Sequence, residues 1–339
     1  MTRYAEKLAA IKSDKYRKQD FIIADAKDSD MAGGTMTTGV KRGQNGDADR
    51  PYTRDEFLKN IVALVEQNVV DILLASASNM ETLTRRGVFH NTSVARAVRV
   101  NDTTDIWAAI RGADYPSHAS RPFRSASLDR LRRPLDATRE SAVDLGLYSI
   151  TFNNDIDRDY ASLEAFSSFR RDAAAIGFKY FLEVFNPNVD PRMPAEVVPQ
   201  FVNDSIIRTL AGIVEADRPQ FLKVVYNGPK ALEELTGYDP GVVVGVLGGS
   251  AGTTRDCFEL LFQAERFGAR VALFGRKINL AESPLELIAL MRTVTDGAID
   301  PEEAVHAYHG QLQKLGVRPT RSLDDDLRIT SAPLLEART

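Results

Sequence analysis

Short apolar runs alternate with helical patterns along this chain, and that rhythm constrains the fold more than any other feature. Eight runs have the length and residue types of buried strands, and each is followed by a helical pattern or a long insertion. Strands that alternate with helices form βαβ units, which place the strands side by side in a parallel sheet. We therefore predict an α/β fold, a (β/α)8 TIM barrel that forms one domain over residues 1–339. The predicted strands cover 21–25, 69–74, 95–100, 147–152, 180–185, 221–226, 242–247 and 270–274.

A doubly wound open sheet is the alternative fold that the same alternation allows. Such a sheet usually carries a glycine-rich turn, G-x-G-x-x-G, directly after its first strand. Here the first strand ends in Asp25-Ala26-Lys27, which lacks those glycines. The barrel is therefore the preferred prediction.

Four segments depart from the regular rhythm. Residues 1–19 predict an amphipathic helix, and 26–53 form a glycine-rich loop that is too long for a plain connection, so we expect it to close over a ligand. The arginine-rich insertion at 111–140 is compatible with an anion site, with a subunit contact or, more commonly, with a solvated insertion. The tail at 317–339 shows no strong pattern.

Composition excludes several classes of function. The net charge of -4 argues against a nucleic-acid partner, and the lone Cys257 excludes an intrachain disulfide and fits a reducing cytoplasm. The four histidines show no metal-ligand spacing, and no apolar run reaches the roughly 20 residues of a membrane span. We expect a cytoplasmic homo-oligomer that uses no metal or cofactor and binds neither nucleic acid nor membrane.

One lysine stands inside the apolar sixth run, Phe221-Leu222-Lys223-Val224-Val225. Alternate residues of a strand share a face, so Lys223 points the same way as Phe221 and Val225. A lysine kept from water in a barrel is pushed towards its neutral form, whose lone pair can attack a carbonyl as a Schiff-base nucleophile. The alternative is a lysine whose side chain extends from the strand end to solvent.

Further polar residues follow the other predicted strands. In a barrel the strand ends and the loops after them form one active-site face. Glu183 on the fifth strand lies at the same depth as Lys223, and the two predict either a structural ion pair or a proton shuttle beside an imine. The candidates at the remaining strand ends are Asp25, Lys27, Asn153, Gly248, Gly249, Ser250, Gly275 and Arg276.

The turns after the seventh and eighth strands have a pattern of their own. Loops at these two positions commonly bind phosphate in this fold, through backbone N–H groups and a helix N-terminus. Gly248, Gly249 and Ser250 form one turn, and Gly275 and Arg276 form the other. We predict an anion site there, with Arg276 as its charged ligand. The alternative is that the glycines only make tight turns.

Several of these segments together resemble a known family. Phe181-Leu182-Glu183, Phe221-Leu222-Lys223-Val224, Gly249-Ser250-Ala251-Gly252 and Phe274-Gly275-Arg276 are similar to segments of class I aldolases of the tagatose-1,6-bisphosphate aldolase type. The archaeal-type fructose-bisphosphate aldolases and the sulfofructose-phosphate aldolases share this resemblance. It is strong from about residue 145 to 282, and Asp25-Ala26-Lys27 resembles the Asp-x-Arg of the family's first strand.

The resemblance implies a role for each matching residue. Lys223 would form the Schiff base, Glu183 would transfer protons, Asp25 would be a polar active-site residue, and Ser250 and Arg276 would hold a substrate phosphate or sulfonate. The family often has a second lysine at the end of strand four, where this chain has Thr151-Phe152-Asn153. That difference and the long insertions leave the substrate open. A non-covalent isomerase or epimerase of a sugar phosphate, or a sugar-phosphate-binding protein without activity, remain the alternatives.

Overall fold

The eight predicted strands form a closed parallel barrel, in chain order, in the computed structural model of the chain. The structure describes residues 1–13, 15–42, 48–132, 143–249 and 252–338. Within those ranges the TIM-barrel prediction is confirmed, and the open sheet is not formed. The barrel strands are β1 (Ile22–Lys27), β2 (Ile72–Ala75), β3 (Ala95–Arg99), β4 (Leu145–Thr151), β5 (Tyr180–Phe185), β6 (Leu222–Val224), β7 (Val244–Leu247) and β8 (Val271–Phe274).

Helices surround the barrel, and local sequence signals start several of them. Thr53 and Glu56 form a reciprocal capping box before α3, and Asp300 caps the first amides of α12. Within the described ranges no helix has both the length and the apolar character that a membrane span needs. The helices are α1 (Arg3–Lys12), α2 (Ser29–Gly33), α3 (Arg54–Gln67), α4 (Ala77–Arg85), α5 (Leu128–Arg132), α6 (Ile156–Ala175), α7 (Val198–Ala211), α8 (Pro229–Tyr238), α9 (Thr254–Arg266), α10 (Arg276–Leu280), α11 (Pro284–Thr295), α12 (Pro301–Lys314), α13 (Leu323–Asp326) and α14 (Ala332–Leu335).

Strand alternation separates two apolar layers. In β1, Ile22 and Ala24 belong to the cluster inside the barrel, whereas Ile23 packs in the cluster between the strands and the helices. Tyr4 and Leu8 of α1 join the inner cluster, so α1 covers the end of the barrel where the strands begin. The opposite end, where the strands finish, is left for polar side chains.

The two long insertions are more ordered than the sequence patterns indicate. The segment 26–53, predicted as a loop, contains the end of β1, α2 and a small antiparallel pair, Val40–Arg42 with Ala48–Pro51. The insertion after β3 contains a second pair, Asn101–Thr103 with Pro122–Arg124, and residues 133–142 of it lie outside the described ranges. Such short pairs bury too few residues to leave a periodic pattern in the sequence.

The patternless tail is also partly helical. α13 and α14 lie in it, and the tail packs on α9. The backbone N–H of Thr254 donates to Asp326 (2.7 Å), and Thr253 Oγ1 donates to the carbonyl of Arg328 (2.7 Å). Such contacts are distant in sequence, so no local pattern predicts them.

A buried carboxylate joins three elements at the closed end of the barrel. Asp71 is fully buried and accepts from Arg3 (2.6 Å) on α1, from Lys7 (3.1 Å) on the same helix and from Arg292 (2.6 Å) on α11. The backbone N–H of Ile23 on β1 adds a further hydrogen bond of 2.8 Å. Burial alone would raise the pKa of Asp71, but Arg292 and Lys7 outweigh it and hold that pKa below its ordinary value.

We predict that Asp71→Ala destabilises the fold more than any exposed substitution. The change leaves three cations without their shared carboxylate, and breaking a buried ion network by removing one partner costs about 3–5 kcal/mol. Urea unfolding at neutral pH measures the loss. Asp55→Ala is the matched control, because Asp55 is exposed on α3 and forms its closest ion pair with Lys59 (2.9 Å). Equal losses in the two variants would contradict the prediction.

Candidate active site

Lys223 and Glu183 form a buried ion pair inside the barrel. They are register partners on the adjacent strands β6 and β5. The flanking residues Leu222 and Leu182 pack outward, so both charged side chains point to the interior. Lys223 is 6% exposed and Glu183 is 1% exposed, and Nζ of the lysine contacts Oε1 of the glutamate. The structure therefore brings together the two residues that the sequence singled out.

The second oxygen of Glu183 is also held. Ser149 Oγ donates to Oε2 over 2.6 Å, and Ser149 is the register partner of Glu183 on β4. Arg99 Nη2 donates to the same oxygen over 3.2 Å. Burial acts to raise the pKa of Glu183, but attraction to Lys223 and Arg99 outweighs it and holds that pKa below its ordinary value. The carboxylate is therefore ionised and fixed in orientation in the free protein.

Arg99 links this pair to the end of β1. Its Nε donates to Asp28 Oδ2 (2.5 Å) and its Nη1 donates to Ser149 Oγ (2.8 Å). Arg99 is 5% exposed and Asp28 is 8% exposed, so the network is buried. Sequence reasoning missed Arg99, Ser149 and Asp28. For Arg99 the sequence carried the same signal as for Lys223, a charged residue within an apolar run. Arg99 lies two and four residues after Ala97 and Ala95, so it shares the strand face that these two alanines turn to the barrel interior.

Asn153 lies just beyond β4, and alternation along the chain places it on the same inward face as Ser149 and Thr151. It is 2% exposed, and its Oδ1 accepts from the backbone N–H of Asn188 (3.0 Å). Its Nδ2 has no hydrogen-bond acceptor among the described residues. A buried amide donor without an acceptor is costly, so this group favours a ligand contact at the position predicted from the sequence.

The turns after β7 and β8 meet at the open end of the barrel. Arg276 is exposed, and its Nη2 donates to the carbonyl of Gly249 (3.0 Å). Glycine is required here for structural reasons as well: Gly249 has φ +60°, and a Cβ on Gly248 would lie 2.5 Å from the ring of Phe274. Ser250 lies outside the described residues. The anion site at these turns stays a prediction.

The first amides of α9 are already occupied. The N–H of Thr253 donates to Asp256 (3.0 Å), and that of Thr254 donates to Asp326 (2.7 Å). A cavity of about 270 Å³ lies beside them, between the ends of β6 and β7 and the C-terminal segment. Lys277, which the sequence analysis did not select, lines it and donates to the carbonyl of Gly252 (3.0 Å). An anion bound at the turns after β7 and β8 would therefore depend on Lys277, Arg276 and the glycine turn more than on α9.

Asp25 and Lys27 lie on the other face of β1. Asp25 shares the parity of Ile23, which packs outside the barrel, and its register partner on β8 is Phe274, which packs there too. Lys27 Nζ lies 3.1 Å from Asp25 Oδ2 and contacts Oδ1 of Asn279 on α10. The structure therefore separates these two predicted site residues from Lys223, and Asp28 is the carboxylate of this segment that reaches the network. The roles predicted for Asp25 and Lys27 stay predictions.

Within the described ranges, His, Cys, Asp and Glu side chains form no group of three or more that could hold a metal ion. Cys257 is buried on α9, and burial raises the pKa of its thiol to about 12, which suits packing.

Solved structures with a similar fold include fructose-bisphosphate aldolases. The enzyme from Slackia heliotrinireducens has a TM-score of 0.64 and 12% identity, with 91% of this chain and 90% of that chain covered. A Schiff-base-forming fructose-1,6-bisphosphate aldolase has a TM-score of 0.61 and 14% identity over 86% of this chain and 99% of that chain. An archaeal aldolase whose catalytic lysine is bound to a carbinolamine intermediate has a TM-score of 0.60 and 15% identity over 87% and 100%.

Comparisons of sequence alone add no relative. No protein-family model matches the chain, and no curated protein matches it. At 12–15% identity the solved structures establish the fold. These solved structures are aldolases, the type of protein that the sequence segments resemble.

Asp25 gives a pH-dependent prediction. It is fully buried, neither of its oxygens accepts a hydrogen bond from the described residues, and burial raises its pKa to about 6, with Lys27 opposing only in part. Because the folded pKa exceeds the unfolded value, this group favours folding below about pH 4, and that contribution is lost as the pH rises through 6.

We therefore expect Asp25→Asn to become more stable relative to the wild type as the pH rises from 5 to 8. The change over this window is about 1.4 kcal/mol, because the folded pKa of Asp25 lies about one unit above pH 5 and one pKa unit corresponds to 1.36 kcal/mol. Urea unfolding at the two pH values measures it, with Asp324→Asn as an exposed control. A difference between Asp25→Asn and the wild type that is the same at both pH values would contradict the burial argument.

Proposed function

We propose that the protein is a class I aldolase that makes or breaks a carbon–carbon bond of an anionic ketose through a Schiff base on Lys223. The observation that carries the proposal is the buried pair of Lys223 and Glu183 on adjacent strands, below the open end of the barrel. A lysine in this position can attack a carbonyl, and a carboxylate in contact with it can move the protons that imine chemistry requires. The fold shared with Schiff-base aldolases supports the same reaction class.

Imine formation begins with a proton transfer. Lys223 is paired with an ionised carboxylate in the free protein, so it passes a proton to Glu183 before its neutral amine attacks the ketose carbonyl. The neutral carbinolamine that results removes one of the cations that lower the pKa of Glu183. That pKa then rises, and Glu183 can protonate the leaving hydroxyl, which departs as water and leaves the iminium.

Bond cleavage uses the same carboxylate. The iminium withdraws electrons from the adjacent carbon, so the C3–C4 bond breaks as the C4 hydroxyl loses its proton. Glu183 is the nearest charged acceptor to Lys223, and Ser149 and Arg99 keep its orientation fixed. We propose Ser149 and Arg99 as positioning residues for Glu183.

Substrate recognition is proposed for the rim above the pair. Arg276, Lys277 and the turn at Gly248 and Gly249 would hold the phosphate or sulfonate, and the free Nδ2 of Asn153 would bind a hydroxyl or carbonyl oxygen. An anion fixed at the rim holds the carbonyl near the amine, which makes the attack effectively intramolecular.

Trapping the imine tests the mechanism. Borohydride reduction in the presence of dihydroxyacetone phosphate, or of a ketose phosphate, is expected to leave a stable adduct on Lys223 in a peptide mass map. Lys223→Ala is expected to lose both adduct and turnover, because alanine has no amine that could form the imine. Glu183→Gln is expected to slow turnover about 10²–10⁴-fold, the usual contribution of a general acid–base, while still allowing an adduct to be trapped.

Lys230→Ala is the matched control, because Lys230 is an exposed lysine near the same rim. An adduct on a different lysine would retain the aldolase reaction and remove Lys223 from it. Turnover without any adduct would favour a non-covalent isomerase or epimerase, and binding without turnover would favour a sugar-phosphate-binding protein.

The anion site is tested separately. Arg276→Ala is expected to raise KM for the anionic substrate about 10- to 100-fold, since a hydrogen bond to a charged group contributes roughly 1.5–3 kcal/mol. Steady-state kinetics with and without competing inorganic phosphate measure the effect. Arg208→Ala on α7 serves as the control for loss of one surface arginine. Unchanged KM and unchanged phosphate inhibition would remove Arg276 from the site.

A further inference from the structure

A second cavity lies outside the barrel wall, near the end of β1. Its volume is about 830 Å³, and its walls come from α3, from the start of α11, from the antiparallel pair after β1 and from the turn after α12. That volume falls within the range of small-molecule sites, which is about 300–1,000 Å³. No residue of the Lys223–Glu183 network lines it, and its lining residue on β1, Lys27, has the outward parity of Ile23, so the cavity is distinct from the candidate active site inside the barrel.

The floor of this outer cavity carries a buried cation. Lys27 is among the residues that line the cavity, and it is only 3% exposed. Its Nζ contacts Asn279 Oδ1 and lies 3.1 Å from Asp25 Oδ2, in a geometry that gives Asp25 no hydrogen bond. An ammonium group has three donors, and these two neighbours leave capacity for a ligand oxygen.

The remaining lining divides into a charged rim and an apolar wall. Arg318 adds positive charge at the rim, and so does Lys41, whose Nζ is also paired with Glu56 (3.3 Å). Glu282 is the acidic residue among the lining side chains, and its carboxylate already accepts from Tyr308 (3.1 Å) and from the N–H of Thr320 (2.7 Å). The apolar wall is formed by Val40, Tyr52, Phe57, Leu64, Leu285 and Val317.

We propose that this cavity is a ligand site for a small amphipathic anion, with its carboxylate, phosphate or sulfonate on Lys27 and its apolar body against Phe57 and Leu64. The arrangement of a buried cation below an apolar wall matches such a molecule and disfavours a neutral polyol. A sugar phosphate would leave the apolar wall in contact with hydroxyl groups, so the site differs in chemistry from the barrel mouth. The proposal does not depend on Schiff-base formation.

A fluorescent anion tests the site directly. We expect the full-length protein to bind 8-anilinonaphthalene-1-sulfonate saturably, with one molecule per chain at this cavity. Ala63→Phe fills the cavity from α3 and is expected to weaken binding at least about tenfold. Lys27→Met is expected to weaken it by about the same factor through loss of a charge-assisted contact. Lys59→Met, on the exposed side of the same helix, is expected to leave affinity unchanged.

A neutral probe separates charge from apolar burial. N-phenyl-1-naphthylamine has the same aromatic body without the sulfonate, and we expect it to bind more weakly and to be insensitive to Lys27→Met. Thermal unfolding of each variant verifies folding. If Lys27→Met does not fold, the effect of Ala63→Phe still tests the cavity, and the comparison of the two probes still tests the preference for an anion. Wild-type affinity in Ala63→Phe would overturn the proposal that the ligand binds in this cavity. Equal affinity of the wild type for both probes would overturn the proposal that the site prefers an anion. Activity of the Lys223→Ala protein has no bearing on either outcome.

Discussion

The carboxylate of Glu183 is the interaction on which the candidate site depends. An ionised carboxylate inside a barrel is expensive unless it is paired and hydrogen-bonded on both oxygens. Here Lys223 contacts one oxygen, while Ser149 and Arg99 donate to the other. These four residues come from β3, β4, β5 and β6, and Asp28 extends the network beyond β1. The charge centre therefore forms only when these four neighbouring strands and the segment after β1 are assembled, which links folding of much of the sheet to formation of the site.

Parity within β1 separates two charged clusters. Asp25 and Lys27 share the outward face of Ile23, whereas Asp28, just beyond the strand, reaches Arg99. A shift of one residue along a strand moves a side chain to the other face. This is why two neighbouring segments of β1 serve the barrel interior and the outer cavity. An Asp-x-Lys pattern in the sequence does not show whether its side chains point into the barrel or away from it.

Much of the fold was predictable because barrel strands are buried on both faces and leave continuous apolar runs. Lys223 and Glu183 were recognisable for the same reason, since a charged residue interrupts such a run. Arg99 interrupts its run in the same way, but so does Arg96, which points outward to Asp144 (2.9 Å). The run alone therefore did not show which of the two arginines faces the barrel interior. The tail was not predictable, because Asp326 and Arg328 contact α9 across a large sequence separation.

The charges of the network around Glu183 balance in the free protein. Lys223 and Arg99 carry two positive charges, and Glu183 and Asp28 carry two negative charges, so the free site is neutral. In the proposed reaction, a carbinolamine or an enamine on Lys223 is uncharged at nitrogen and would leave the site with a net negative charge. In a poorly solvated interior that imbalance favours uptake of a proton, and Glu183 is the carboxylate in contact with the nitrogen. The iminium restores the positive charge, so Glu183 is driven to release its proton at the step where water leaves or a carbon must be protonated. Arg99 keeps Glu183 from holding that proton permanently, because its fixed charge favours the ionised carboxylate throughout.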